Sequence, residues 1–483
     1  MGSPGVVPIC RNTGCPNLRP ARKRKVFTFH VISPESFYVL RKIGAPVALG
    51  PETGHTDRVK TRGAGRWLGG AALLWAAAAA AADPAANVIL FIGDGMGPEH
   101  VAAARCYKGA PLCFEEFPHS AVVDTDSLDG LTDSAAAASA IATGTRVSMW
   151  TYGDRVGSPL PTILEHYLGN GRRAGLVTTD YLTAATPAAF ATHAYDRGDT
   201  AQIAEDYLRR IRPHVLLGGG GYDLDPESAW DAGFDVVTNA AELAAVDPAG
   251  TEYLCGQFGA GQMDYEYDGI GDEPHLRDMT ATALAVLEQE PAGFFLMVEG
   301  ANVDHAAHGW DLDRLIPEML ELDAAVQVAV DWAGSRTDTL IVVTADHETG
   351  GLSVVADNGE GVLPDVEWTD TWHTRTPVGS WAWGPGSERV SGSMANTNTF
   401  RVLRDSAGLQ PFCLRPPLEE PAPQPPKWAA APGDVVRIEY TDRIEPQDWQ
   451  PLGTVTAATP YVAIDDTNAW PQAQRYYRAV AVP

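Results

Sequence analysis

Positive charge is scarce in most of this chain. The 483 residues include 35 Lys and Arg against 62 Asp and Glu. Residues 1–66 hold 12 of the basic and only 3 of the acidic residues, which leaves 23 basic against 59 acidic side chains in the remainder. A body this acidic repels a phosphate backbone, so a nucleic-acid-binding scaffold is excluded. Any phosphate chemistry would have to rely on local cations.

Cysteines at metal-binding spacing are also missing. None of the six cysteines forms a Cys-x-x-Cys pair, which excludes a zinc ribbon; they are Cys10, Cys15, Cys106, Cys113, Cys255 and Cys413. Cys106 and Cys113 enclose a short loop that suits a disulfide in an oxidising compartment. Two unpaired core thiols explain the same spacing equally well, and both interpretations stay open.

A long hydrophobic run is the third absence. The apolar stretch at 67–82 has 16 residues, which is too short and too rich in alanine for a membrane span. Basic residues precede it, and residues 58–82 are therefore typical of a signal peptide. We predict an exported protein, periplasmic or extracellular, with no stable membrane span after leader cleavage. Residues 1–57 are basic, and they are either a disordered tail or the product of a start assigned too far upstream.

What is present is an alternation of short apolar runs with longer helix-forming ones. It predicts an α/β domain over 83–410, with a mostly parallel central sheet flanked by helices. Residues 411–433 include 8 prolines among 23 residues, which predicts a semi-rigid linker. Alternating polarity over 434–483 predicts a small antiparallel β-sandwich-like module. We expect this module to attach the protein to a surface or to another protein.

Metal-ligand residue types follow three of the predicted strands. They are Asp94, Glu299, Asp304, His308, Asp346 and His347. On its own, an aspartate in a glycine-rich turn such as GDGMG is more often a turn former or a helix cap. The carboxyl ends of parallel strands meet at one edge of a sheet, however, so the repetition predicts a site for several cations.

Ser134 opens a run of strong helix formers that Gly144 closes. A serine at such a start is by default a helix N-cap. A nucleophile has an advantage at the same place, because the helix end attracts a phosphoryl group and a nearby cation lowers the pKa of the hydroxyl. This motif alone leaves both roles open.

Together the motifs resemble the alkaline phosphatase family. In the family's order, and over roughly Asn87 to Gly408, they are GDGMG, Asp133-Ser134-Ala135, ATPAAFATHAYDR, VEGANVDHAAH, TADHETGG and His373-Thr374. Only 25 residues separate His347 from His373, too few for the extra surface domain of animal-type members. The resemblance therefore implies a compact bacterial type with an added C-terminal β module.

The resemblance implies two zinc ions and one magnesium ion. One zinc would be held by Asp304, His308 and His373. The second would be held by Asp94, Asp346, His347 and the oxygen of Ser134. The magnesium would be held by Asp94, Thr186 and Glu299. Ala184 stands where many relatives carry Asp or His, and this departure makes the magnesium site the least secure of the three.

The implied reaction is hydrolysis of small phosphate monoesters through a phosphoserine on Ser134. Arg197 would grip two phosphate oxygens. His305 would reach the phosphate through water, or else is a simple surface histidine. A phosphodiesterase or sulfatase of the same superfamily is the alternative enzyme, against which Ser134 and Arg197 argue. A non-catalytic, metal-storing surface protein is the alternative outside enzymes, and the resemblance is compatible with a homodimer.

Overall fold

The structure, a computed structural model, describes residues 84–152 and 159–409, and beyond them short strands at 27–28, 427–429, 435–441, 450–456, 461–463 and 476–481. The predicted signal peptide at 58–82 lies outside the described residues, as do most of 1–57 and of the predicted linker at 411–433. Among the described residues, no helix has the length and hydropathy to cross a membrane. Cys106, Cys113 and Cys255 are free thiols, so the first two do not form the disulfide that was one of their two interpretations.

A ten-stranded sheet forms the centre of the fold and confirms the predicted α/β class. With β1 assigned to Phe27–Thr28, its strands are β2 Asn87–Gly93, β3 His119–Asp124, β4 Arg173–Tyr181, β5 Val215–Gly219, β6 Asp235–Val237, β7 Leu254–Phe258, β8 Phe294–Gly300, β9 Thr339–Ala345, β14 Val378–Trp383 and β15 Gly392–Ala395. Their order across the sheet is β15-β3-β14-β9-β2-β8-β4-β5-β7-β6. The sheet is parallel except where β14 pairs with β9 and β3.

Helices and two small ladders surround this sheet. The helices are α1 Pro98–Lys108, α2 Ser134–Thr143, α3 Ile163–Gly169, α4 Ala185–Ala191, α5 Thr200–Glu205, α6 Pro226–Asp231, α7 Ala240–Ala244, α8 Leu276–Leu287, α9 Asn302–His308, α10 Leu312–Ala333 and α11 Asn396–Ser406. The ladders pair β10 Glu348–Thr349 with β13 His373–Thr374 and β11 Ser353–Ala356 with β12 Asp365–Glu367. Helices α8 and α10 pack on each other and on β8, while α3 and α4 pack on each other and on β4 and β8.

The register of the central strands fixes the level at which side chains leave the sheet. Strands β2, β8 and β9 are buried along their whole length, as continuous apolar runs in parallel sheets require. Gly93 of β2 pairs with Gly300 of β8 and with Ala345 of β9. Asp94 and Asp346 each follow directly, so both carboxylates emerge at the same edge and the same height.

By its contacts the chain divides into two compact units, Leu74–Leu414 and a second one composed of Met1–Leu73 and Arg415–Pro483. The second contains β16 Lys427–Ala429, β17 Val435–Thr441, β18 Gln450–Thr456, β19 Tyr461–Ala463 and β20 Tyr476–Ala481. Strand β17 pairs antiparallel with β18 and β20, β1 pairs with β20, and β16 pairs with β19. The antiparallel character of the C-terminal strands is thus confirmed. Strand β16 falls inside 411–433, and the linker and the boundaries of the module stay predictions.

Candidate active site

Asp94, Asp346 and His347 form a buried group just beyond β2 and β9. His347 Nε2 lies 3.4 Å from Asp94 Oδ1 and 3.2 Å from Asp346 Oδ2. Within the described residues, neither of these carboxylate oxygens has a hydrogen-bond partner. A buried carboxylate oxygen without a donor carries a large desolvation cost, and the missing partner that this group calls for is a cation.

A tight turn brings a second group beside the first. Gly95 has a φ of 68°, and a Cβ at this position would lie 2.7 Å from Asp304 Oδ1, so only glycine allows the close approach. Asp304 Oδ2 lies 3.2 Å from His308 Nε2, one turn along α9, and Asp304 Oδ1 lies 3.9 Å from His373 Nε2. The rings of His373 and His347 stack with centroids 3.6 Å apart, which joins the two groups.

The histidines of the second group are held in the tautomer that binds metal ions. His308 Nδ1 lies 2.7 Å from the carbonyl oxygen of Thr371, and His373 Nδ1 lies 2.8 Å from that of Thr132. Because a carbonyl oxygen only accepts hydrogen bonds, each Nδ1 carries the proton. Both Nε2 atoms therefore face Asp304 and are the atoms that would bind a cation there, as in metal sites where a backbone carbonyl orients the ligand.

His347 follows the same rule through a hydroxyl group. Thr349 Oγ1 donates its proton to Asp304 and lies 3.2 Å from His347 Nδ1, so Nδ1 is the donor of that contact and Nε2 is unprotonated. Burial lowers the pKa of His347 and of His373 to about 4. Both rings are thus neutral near pH 7, which is the form that coordinates metals.

Burial and mutual repulsion oppose ionisation of Asp94 and Asp346. Burial raises the pKa of Asp94 well above its ordinary value, and the charges of Asp346 and Asp304 raise it further. Burial and the charge of Asp304 raise the pKa of Asp346 to about 6. Ligand-type atoms of Asp94, Asp346 and His347 lie within 4.8 Å of one another, as do those of Asp304, His347 and His373. The donor set fits two neighbouring divalent cations, which would reverse this effect on the pKa values.

Glu299 and Thr186 place further buried side-chain oxygens near Asp94. Burial raises the pKa of Glu299 to about 8, against the lowering effects of Thr178 and Thr186. Thr178 Oγ1 donates to Glu299 Oε2 at 2.6 Å, and the buried hydroxyl of Thr186 lies next to the same carboxylate. An all-oxygen set of this kind suits a hard cation such as Mg²⁺. Ala184, at the N-terminal end of α4, adds no oxygen.

The Ser134 side chain does not cap α2, because the preceding residue, Asp133, does so. The N-cap of α2 is Asp133, whose Oδ1 accepts a hydrogen bond from the N–H of Ala136 at 3.2 Å. Of the two roles that the motif left open for Ser134, the structure therefore gives capping to Asp133. The Ser134 side chain lies instead against the first group, with Oγ 3.3 Å from His347 Nε2.

Arg197 lies on the same side as Ser134 and is anchored by Asp133. Its Nη1 lies 2.9 Å from Asp133 Oδ2, and its guanidinium carbon lies 5.3 Å from the centre of the Trp150 ring. The side chain is about one quarter exposed, at 28%. Only Nη1 contacts Asp133, so the guanidinium keeps further donors that an anion can use.

His305 lies at the rim, next to a carboxylate that the sequence analysis did not include. His305 Nδ1 lies 3.3 Å from Asn302 Oδ1, and its Nε2 lies 3.8 Å from Asp180 Oδ2. Burial raises the pKa of Asp180. Asp180 belongs to the end of β4, so the rule that identified the other strand-end carboxylates applied to it equally.

Two exposed tryptophans, Trp150 and Trp372, were also missed. They frame the opening beside Arg197 and His373, and their ring centroids are 6.3 Å apart. Trp372 directly precedes His373, and this adjacency was the available signal. The other residues proposed from the sequence, from Asp94 to His373, do come together at one edge of the sheet.

Comparisons with known proteins agree on one family. The model of the family described as alkaline phosphatase matches residues 85–363. Alkaline phosphatase 3 of Bacillus subtilis (strain 168) is 34% identical over 300 residues, which cover 57% of this chain and 63% of that protein. This chain therefore spans somewhat less than two thirds of that relative. The alkaline phosphatase of Escherichia coli (strain K12) is 30% identical over 414 residues, with 68% of this chain and 87% of that protein covered.

Solved structures show the same fold. The alkaline phosphatase of the Antarctic bacterium TAB5 matches with a TM-score of 0.62 and 25% identity, covering 68% of this chain and 100% of that one. A variant of the TAB5 enzyme, solved with Mg bound, matches with a TM-score of 0.61 and 25% identity over 68% of this chain and 100% of that one.

Proposed function

Because the chain belongs to the alkaline phosphatase family, we propose that it hydrolyses phosphate monoesters to an alcohol and inorganic phosphate through a phosphoserine on Ser134. The position of the Ser134 hydroxyl carries this proposal. It opens α2, is released from capping by Asp133, and lies 3.3 Å from His347 Nε2 in a buried group of metal-ligand side chains.

Different residues bind the phosphate and attack it. The guanidinium of Arg197, held by Asp133, binds two oxygens of the phosphate. The positive end of α2 attracts the same anion, since it carries unpaired backbone N–H groups. Ser134 Oγ forms the bond to phosphorus while the bond to the leaving alcohol breaks on the opposite side. Water then attacks the phosphoserine, releases phosphate and restores Ser134.

The donor sets assign the ions to residues. We propose one zinc ion at Asp304, His308 and His373 and a second at Asp94, Asp346, His347 and Ser134. We propose a magnesium ion at Asp94, Thr186 and Glu299. When bound, these ions would act as Lewis acids for the negative charge that develops on the attacking and leaving oxygens. His305, oriented by Asn302, would meet the phosphate through water. Export through residues 58–82, a homodimer and an attachment role for the C-terminal strands stay predictions.

Hydrolysis of p-nitrophenyl phosphate and of its bis-ester, each with and without a chelator, tests the proposal. We expect the monoester to be hydrolysed far faster, activity to be lost on chelation, and zinc with magnesium to restore it. Peptide mass spectrometry after an acid quench should locate phosphate on Ser134. A preference for the bis-ester would support a phosphodiesterase instead, and no hydrolysis of either ester would support a non-catalytic protein.

A further inference from the structure

Two large aromatic side chains are left partly exposed at the opening of the candidate active site. Trp150 is 46% exposed and Trp372 is 41% exposed. Their ring centroids lie 6.3 Å apart and their planes are inclined by 39°. Exposed tryptophans that lie together mark contact surfaces, because each combines a broad apolar face with little conformational freedom to lose.

Trp372 is fixed against the histidines of the Asp304 group. Its ring is nearly parallel to that of His373, at 8° and with centroids 4.7 Å apart, and it lies 5.1 Å from the ring of His308. If Ser134 attacks phosphorus in line, the leaving group departs on the opposite side of the phosphate. The leaving group then lies beside the Asp304 group, and Trp372 covers that group.

Trp150 is fixed on the phosphate side. The backbone N–H of Trp150 donates to Asp133 Oδ1 at 3.0 Å, and its backbone carbonyl oxygen accepts from the backbone N–H of Arg197 at 3.1 Å. Its φ of 69° is a left-handed conformation that a tryptophan adopts only where its surroundings impose it, and such residues concentrate at functional sites. The guanidinium of Arg197 lies 5.3 Å from the ring centre, so the ring lies directly beside the proposed phosphate-binding group.

These contacts form a closed ring of neighbouring side chains that includes the proposed phosphate-binding residues Ser134 and Arg197. It runs through Ser134, His347, His373, Trp372, Trp150, Arg197 and Asp133. A phosphate bound by Arg197 beside Ser134 has to direct its organic substituent outward, past the two indole rings. The separation of 6.3 Å is too small for a third ring to insert flat between them, so an aromatic substituent would pack offset or edge-on against their exposed parts.

We propose that Trp150 and Trp372 form a stacking platform that selects phosphate monoesters carrying a planar aromatic ring, such as nucleoside monophosphates, over esters of simple aliphatic alcohols. The inference rests on the proposed phosphomonoesterase function and names its substrate class. Stacking of a base on an aromatic side chain is sequence-tolerant, because every base has a π-face. The platform therefore selects for a ring and not for one particular base.

Adenosine 5′-monophosphate and ribose 5-phosphate provide a matched pair of substrates for the test. Both lose phosphate from the same primary alcohol, and they differ in the base. With the metal-loaded full-length enzyme, we expect kcat/KM to be at least about tenfold higher for adenosine 5′-monophosphate, and the ratio of the two values to fall about tenfold in W372A and in W150A. W372F should keep most of the ratio, because it keeps an aromatic face.

The matched control is W230A, which removes a tryptophan that is more exposed, at 67%, and that belongs to helix α6, outside the candidate active site. It should leave the ratio unchanged. Equal kcat/KM values for the two substrates in the parent enzyme, or an equal loss for both in W372A and W150A, would overturn the platform while leaving the phosphomonoesterase intact. If p-nitrophenyl phosphate is not hydrolysed either, the proposed function itself fails.

Discussion

Two regions of the molecule place three metal-ligand atoms within 4.8 Å of one another, and they differ in what surrounds those atoms. At the sheet edge, Asp94 Oδ1 and Asp346 Oδ2 have no hydrogen-bond partner among the described residues. Between α8 and α10, the equally buried Glu321 accepts hydrogen bonds from the N–H of Arg277 at 2.9 Å and from its guanidinium at 2.7 Å.

The other two members of this second group are Glu266 and His275, and with Glu321 they are called the α10 cluster here. They also have partners. His275 Nδ1 lies 2.8 Å from Glu266 Oε1, and the N–H of Glu266 donates to Glu318 Oε1 at 2.8 Å. Burial and acidity alone therefore do not identify a metal centre. Carboxylates that the fold leaves without donors do, because an uncompensated buried charge costs several kcal/mol. We expect the sheet-edge cluster to bind divalent ions and the α10 cluster to bind none.

The largest effect on activity should come from removal of the Ser134 hydroxyl, which lies beside the carboxylate oxygens without hydrogen-bond partners. Ser134→Ala should lower kcat for p-nitrophenyl phosphate by more than about a thousandfold, because it removes the nucleophile. Zinc content should stay near that of the parent, since the other ligands remain. The control is Ser139→Ala, which removes another buried hydroxyl of α2 without a hydrogen-bond partner in the described structure and should leave kcat unchanged. A loss below tenfold for Ser134→Ala would remove it from the nucleophile role.

Removal of the ions tests the comparison directly. We expect chelation to lower the free energy of unfolding by about 4 kcal/mol for each ion that was present at a thousand times its Kd. Asp346→Asn should lose at least one bound ion and with it about 4 kcal/mol of the chelator-sensitive stability, whereas Glu321→Gln should keep all bound ions and all of this stability. Elemental analysis after dialysis, and urea unfolding with and without chelator, provide the measurements. If Glu321→Gln loses an ion as well, hydrogen-bond partners do not separate metal-binding clusters from structural ones.

Arg197 is a partnered group inside the candidate active site, and its replacement should have a smaller effect. Arg197→Ala should lower kcat/KM by the equivalent of about 2–3 kcal/mol of transition-state stabilisation. This is the contribution of a charge-assisted pair of hydrogen bonds, which the variant lacks. Competitive inhibition by inorganic phosphate should weaken in parallel. Arg314→Ala, which breaks exposed ion pairs with Asp268 and Asp311, is the control and should change neither value. Unchanged phosphate inhibition in Arg197→Ala would show that this side chain does not bind the substrate.

The strand-end residues were predictable because their positions depend on local sequence and on one general rule. Each of Asp94, Glu299 and Asp346 lies at the end of a continuous apolar run, and parallel strands bring their carboxyl ends to one edge. Asp180 ends β4 in the same way and was accessible to the same rule. The sequence analysis considered Ser134 as the N-cap of α2, whereas Asp133 is the N-cap. Both residue types are good caps, and a shift of one residue in the helix start decides between them.

The stacking platform of Trp150 and Trp372 could not be predicted in this way. Trp150 and Trp372 are separated by more than two hundred positions and belong to loops, whose paths depend on tertiary contacts and not on periodicity. The same applies to β14, which joins the sheet antiparallel between β9 and β3. Its sequence, VGSWAW, shows the alternating burial of a strand but not which strands it pairs with.

The smallest effect concerns Glu318 of α10, which accepts a hydrogen bond from Glu266 of the α10 cluster. The comparison predicts for it a pH dependence of stability that is independent of metal. Burial raises the pKa of Glu318 from 4.5 to about 8 in the folded protein. Between these values the folded state holds a proton that the unfolded state releases, so this residue's contribution to stability is complete below about pH 4.5 and is lost as the pH rises to about 8. Water entry and relaxation reduce the effect, and we expect a change on the order of 1 kcal/mol across the window.

Glu318→Gln should remove this dependence, because the amide keeps an acceptor for the N–H of Glu266 and has no proton to lose. Relative to the parent, the variant should become more stable as the pH rises from about 5 to about 8.5, by roughly 1 kcal/mol. Urea unfolding of both proteins at the two pH values, with metal ions saturating throughout, provides the measurement. Saturating metal keeps the sheet-edge carboxylates ionised at both pH values, so their titration does not enter the difference. A parent and a variant whose stabilities change in parallel with pH would show that Glu318 is ionised in the folded protein, and its hydrogen bond from Glu266 would then be enough to hold a buried charge without a cation.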